Sequence, residues 1–152
     1  MRAVSLLALL LLLGCAPAAP PQERSAIGFQ VVGDGYQSAP SILSVEQGRL
    51  VLRGSAPARV ELVAPLPADQ PAVSPVTGET LTVERGVLVL PGGRELEVQR
   101  GTFTLQNLQG GLARGNFEVI ARARGAAPAG DKPLEGDLDV RGSFDAAAPG
   151  TP

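Results

Sequence analysis

The sequence predicts an all-β domain: an antiparallel β-sandwich or a barrel-like meander of about 8–10 short strands, with little or no helix in the mature domain. Three observations predict it. Long stretches alternate between apolar and polar residues. A glycine-centred octapeptide recurs three times. Beyond the first 14 residues, no stretch of ten or more keeps a helical period free of Gly and Pro.

The alternation is clearest near the C-terminus. In Asn116–Arg124, Phe117, Val119, Ala121 and Ala123 face one way and Glu118, Arg122 and Arg124 the other. Ile120 falls on the polar side, so that face is expected to be partly covered. In Leu134–Phe144, Leu138, Val140 and Phe144 oppose Asp137, Asp139 and Arg141. A period of two marks half-buried antiparallel strands. The repeated pattern is Val, two polar residues, Gly, any residue, a large apolar residue, any residue, Leu. It occurs at Val45–Leu52, Val83–Leu90 and Val98–Leu105. Gly suits the left-handed position of a tight hairpin, so each copy reads as strand, turn, strand.

Taken in order, the expected strands are Ile27–Val32, Ile42–Glu46, Arg49–Arg53, Arg59–Val63, Thr80–Glu84 and Val87–Leu90. Glu95–Gln99, Thr102–Asn107, Asn116–Arg124 and Glu135–Phe144 complete the set. Pro65–Thr77, with four prolines, reads as a long surface loop, and Ala126–Pro133 joins the last two strands. The sandwich is slightly favoured over the barrel.

The composition excludes several chemistries. The chain has no His and one Cys among 152 residues. Ser-His-Asp and Cys-His catalysis, imidazole metal sites, internal disulfides and thiolate metal centres are therefore ruled out. A net charge of −2 gives no reason to expect nucleic-acid binding.

The N-terminus carries the most specific pattern. Met1-Arg2 is followed by Ala3–Leu13, an apolar run of 11 residues of which seven are Leu. A bilayer span needs about 20 apolar residues, so the run fits the core of a signal peptide instead. It ends Leu12-Leu13-Gly14-Cys15. This segment resembles the lipobox of bacterial lipoproteins, and the resemblance covers only the first 15 or so residues. It implies cleavage between Gly14 and Cys15 and diacylation of the Cys15 thiol, with palmitate as a typical acyl group. It also implies anchoring in the cell envelope outside the cytoplasm. Ala16, rather than Asp, favours the outer over the inner membrane if the cell is diderm. An ordinary signal peptide with a chance Cys and a buried core helix are the competing readings.

The resulting organisation is a signal peptide at 1–14 and a lipidated Cys with a Pro-rich extended tether at 15–25. A single β domain follows at 26–145, and a disordered tail at 146–152.

Candidate sites within the domain are weaker. Gly33-Asp34-Gly35-Tyr36 holds the sole Tyr but reads as turn chemistry. Glu135, Asp137 and Asp139 share one strand face, yet a flat row lacks the encircling oxygens that Ca²⁺ takes, and Arg141 follows on that face. Arg114, Arg122, Arg124 and Arg141 could form a basic patch for an anionic lipid or glycan. Cross-strand pairing of Arg122 or Arg124 with Asp137 or Asp139 explains most of these charges equally. Serines 38, 41, 44 and 55 lack a base, and the sole Lys, Lys132, lies in a loop.

No catalytic residue, metal or cofactor is assigned. The expected function is a non-enzymatic envelope lipoprotein, a β module that binds an envelope component or plays a structural part there. The alternative is a carrier of a lipid or other apolar ligand, with Leu50–Leu52 and Val87–Leu90 lining a groove. A carboxylate-based hydrolase is a distant third.

Overall fold

The computed structural model describes residues 20–67 and 78–148. One helical turn, α1 (Pro21–Arg24), precedes nine strands. The strands are β1 (Ala26–Val31), β2 (Asp34–Glu46), β3 (Arg49–Pro57), β4 (Arg59–Pro65), β5 (Thr80–Thr82), β6 (Arg85–Val89), β7 (Glu95–Gln109), β8 (Leu112–Ala123) and β9 (Leu138–Ala147).

The strands close into an antiparallel up-and-down barrel. Neighbours in the ring run β1-β2-β3-β4-β6-β7-β8-β9, and β9 returns to β1. β5 adds to β7 beside the end of β6. Leu81 pairs with Phe103 and Val87 with Glu97, in one common register. β5 and β6 are thus one strand interrupted near Val83-Glu84, and the ring has eight walls. Closure removes sheet edges, so few backbone groups of the wall are left without a ladder partner.

The sequence leans towards a sandwich, and the barrel takes its place. The deciding contact is the pairing of the first and last strands, Ile27 with Phe144 and Val31 with Val140. Such a long-range pair leaves no mark on local periodicity.

The inward positions are apolar. Ile27, Phe29, Leu43, Leu52, Leu62, Leu88, Leu96, Leu105, Phe117 and Val140 join one buried cluster fed by every wall of the barrel. The outward positions are largely polar, with Arg53, Glu118, Asp139 and Arg141 exposed and Glu61 half-buried. A membrane-spanning barrel shows the reverse pattern, apolar outside and polar within.

Aromatic rings and glycines interlock on β8 and β9. Phe117 lies opposite Gly142, and Gly115 opposite Phe144. A Cβ built at Gly142 would enter the Phe117 ring, and one at Gly115 would enter the Phe144 ring. Each ring therefore occupies the space that a missing side chain leaves. Phe144 also stacks on Phe103, with centroids 5.0 Å apart.

Two-residue hairpins join β1–β2 (Val32-Gly33), β2–β3 (Gln47-Gly48) and β7–β8 (Gly110-Gly111). Both residues of each turn have positive φ, the conformation that matches the twist of paired strands. The first copy of the octapeptide is accordingly a hairpin. The other two copies are not. Gly101 lies inside β7, beside a register shift between Val98 and Arg100. Gly86 lies inside β6. Neither has a positive φ. A Cβ at Gly86 would meet the Glu61 carbonyl oxygen at 2.9 Å, and one at Gly101 would meet that of Glu118 at 2.5 Å. These glycines allow close approach of strands rather than a turn.

Other departures are local. Glu95–Gln99 and Thr102–Asn107 are one strand, β7. β2 begins at Asp34, so Asp34-Gly35-Tyr36 is strand and the turn is Val32-Gly33. In the expected tether, residues 21–24 form a helical turn, with the Glu23 and Arg24 N–H groups donating to the Pro20 carbonyl. Pro21 sits at N1, where its fixed φ suits a helix. β9 runs through Ala147, and Ala148 is buried, so the ordered domain extends past 145. Most of the loop expected at Pro65–Thr77 lies outside the described residues.

Candidate functional site: the two poles of the barrel

The topology sorts the chain's ends and loops onto two poles. At the near pole are α1, the turns Gln47-Gly48 and Gly110-Gly111, the chain leaving β4 and the end of β9. The Ala148 N–H donates to the Gly111 carbonyl and the Leu66 N–H to that of Gly48, both at 3.0 Å. At the far pole are Val32-Gly33, Ala58, Leu90–Arg94 and the connection Arg124–Asp137. The polypeptide enters the barrel at the near pole, and the far pole is the end remote from that entry.

Beyond the start of β1, β2 and β9 meet directly, Ile42 beside Ala147. Serines stitch this seam. The Ser41 N–H donates to Ser25 Oγ at 2.9 Å, and Ser41 Oγ donates to the Asp145 carbonyl at 2.7 Å. Ser25 and Ser41 are both buried. Ser44 Oγ donates to Glu46, and Ser38 Oγ is buried beside Gly54.

The arginine cluster is neutralised by carboxylates: Arg122 pairs with Asp137 as expected, whereas Arg124 turns to Glu95 and Glu97 on β7 rather than to Asp137 or Asp139. Arg122 Nε lies 2.5 Å from Asp137, Arg114 Nε 2.6 Å from Asp145, and Arg124 Nη1 3.1 Å from Glu95. Arg141 approaches Glu118 at 4.0 Å. No basic patch remains on β8 and β9. Glu135 and Asp137 precede β9, and Asp139 opposes Ile120, so the carboxylate row is not one strand face. Among the described residues no group of three or more carboxylates or other ligands could hold a metal ion.

Further pairs lie on β3 and its neighbours. Arg53 bridges Glu46 and Glu61, and Arg49 meets Glu84 at 3.0 Å. Hydrogen bonds from Arg53 and then Ser44 hold the Glu46 carboxyl below its ordinary 4.5. A hydrogen bond from Arg49 does the same for Glu84. A carboxylate with a lowered folded-state pKa stabilises the fold above its ordinary pKa. That contribution is lost as pH falls through the lowered value. The unfolding temperature is therefore expected to fall on acidification below about pH 5, with a shallower fall in the Glu46→Gln/Glu84→Gln double variant. Both carboxylates are exposed, so the effect is small and shrinks further in about 1 M salt. Thermal melts across pH check it, and parallel curves for the two proteins would contradict it.

On the outer wall, Gly28 and Gly35 leave an open groove across β1, β2 and β9, bordered by Gln30, Gln37, Arg141 and Ser143. Its depth comes from the missing side chains, since a Cβ at Gly28 or Gly35 would meet nothing within 4 Å.

The far pole holds a feature that the sequence reading missed. Tyr36 reaches the core and stacks on Phe29 at 5.5 Å. Burial, and then the charges of Asp34 and Asp131, push its phenol above the ordinary 10.0. Leu134, from the connection between β8 and β9, packs on the same core. At the same end of the barrel, just before β7, Arg94 is 6% exposed. Its Nε and Nη1 are buried with no hydrogen-bond partner. The signal was present in the spacing: Arg94, Leu96 and Val98 share one parity, and Leu96 and Val98 point inward.

Gly14 and Cys15, the predicted cleavage and lipidation residues, lie outside the described residues. Compared with protein-family models, with curated proteins and with solved structures, the chain shows no significant match to any of them.

Proposed function

We propose that this protein is a lipid-anchored envelope lipoprotein whose β-barrel is a non-enzymatic binding or structural module. The observation that carries the reading is Leu12-Leu13-Gly14-Cys15 closing an apolar run, with Cys15 the sole Cys of the chain. The fold is compatible with it. The chain enters the barrel at one pole, so an anchor on that side leaves the walls and the far pole facing the envelope space. Ser25, Ser41 and Ser44 are used in hydrogen bonds and Glu46, Glu61, Glu84, Glu95, Asp137 and Asp145 in ion pairs, which supports a binding rather than a catalytic part. The carrier reading is weaker. Leu50, Leu52, Leu88 and Leu90 are core residues, and the barrel interior is filled by side chains from every wall.

Crosslinking in intact cells, followed by affinity purification of the full chain, tests the module's role. Recovery of an envelope component that depends on the folded barrel is the expected result. No crosslinked component, together with an unaltered envelope on deletion of the gene, would overturn the proposal.

A further inference from the structure

The far mouth of the barrel contains a cation with no counter-ion among the described residues. Arg94 follows the inward parity of Leu96 and Val98 and is 6% exposed. Arg49, Arg53, Arg114, Arg122 and Arg124 each meet a carboxylate within 3.3 Å or less, and all of these pairs are at the surface. Arg94, the buried one, has Nε and Nη1 unpartnered. A guanidinium is always charged and presents fixed donors, and burying it uncompensated destabilises a fold. An apolar residue of similar volume would fill the same mouth without that cost. A bound anion removes the cost and uses the donors.

We propose that Arg94 anchors an anion site at the far mouth, and that its ligand is a monocarboxylate carried on a short apolar body. The neighbourhood favours this class. Ala58, Leu90 and Leu138 are buried at that end, and Leu134 packs over the core there. The facing rim carries Asp34, Glu95, Asp131 and Asp137 against Arg59, Arg122, Arg124 and Lys132, and Arg122 is engaged by Asp137 and Arg124 by Glu95 and Glu97. An apolar body gains from burial against the mouth's lining, and inorganic phosphate has no such body. The inference deepens the binding-module reading and rests on it, but it does not depend on the anchor.

The test is thermal unfolding and calorimetric titration of the full chain in detergent, at constant ionic strength. The probes are acetate, butyrate and inorganic phosphate. Butyrate is expected to raise the unfolding temperature saturably and to bind several-fold tighter than acetate, with phosphate weaker than either. Arg94→Met is expected to abolish the saturable response while unfolding at a higher temperature than the parent without ligand. Arg94→Lys keeps the charge but loses the fork, and is expected to weaken butyrate binding about tenfold, which decides the matter if the Met variant fails to fold. No saturable response to either carboxylate, or an unchanged response in both variants, would overturn the site. A response to phosphate alone would overturn the assignment of ligand class.

Discussion

Phe117→Ala is expected to lower stability by about 3–5 kcal/mol, the range for deleting a buried aromatic ring from a core. Phe117 heads the largest fully buried side chains of the barrel. Domains of this size are stable by about 5–15 kcal/mol, so the loss is a large share of the whole. The unfolding temperature should drop by roughly 10–20 °C. The reason for the upper part of the range is local. The ring fills the space above Gly142, so its removal leaves a void with glycine rather than a side chain at the floor. The neighbouring strands are pinned by their ladders to β7 and β1 and cannot collapse into it.

A double-mutant cycle sharpens this. Gly142→Ala alone drives a methyl group into the Phe117 ring and is destabilising. In the Phe117→Ala background the ring contact is gone and the Gly28 carbonyl oxygen at 2.8 Å is the remaining close contact, so the cost of the methyl should shrink. Residues in contact couple in this way. Chemical denaturation of the four proteins checks it, and strict additivity would contradict the interlocked packing of β8 and β9.

Cys15→Ser has the largest expected effect on behaviour rather than on folding. On the proposed reading the Cys15 sulfur holds a diacylglyceryl group, and two acyl chains give stable anchoring where one chain does not. A serine hydroxyl cannot form that thioether. The variant should lose labelled palmitate and leave the membrane fraction, while its unfolding temperature stays that of the parent barrel. The two observables separate the anchor from the fold. A variant that still incorporated palmitate would contradict the assignment of the anchor.

What was legible in the sequence follows the range of the forces involved. The alternation of Phe117, Val119 and Ala121 against Glu118 and Arg122 was plain, because a strand face is set by nearest neighbours. The hairpin at Gln47-Gly48 was plain for the same reason. Gly86 and Gly101 were misread because a glycine for close approach and a glycine for a turn look alike in one dimension. The difference lies in the Glu61 and Glu118 carbonyls across the sheet. Closure of β9 onto β1 joins residues more than a hundred positions apart, beyond any periodicity. Arg94 was hard to read as a site because charge alone does not disclose burial, and only its shared parity with Leu96 and Val98 pointed inward. The resemblance of Leu12-Leu13-Gly14-Cys15 to a lipobox rests on residue order alone, and so it stood out without any fold.

The central claim is the lipid anchor on Cys15, and intact-mass analysis of the protein extracted from its native membrane tests it most directly. The account predicts a mature chain that begins at Cys15 and carries the added mass of a diacylglyceryl group on that residue. A chain that retains residues 1–14, or begins elsewhere with an unmodified Cys15, would contradict it.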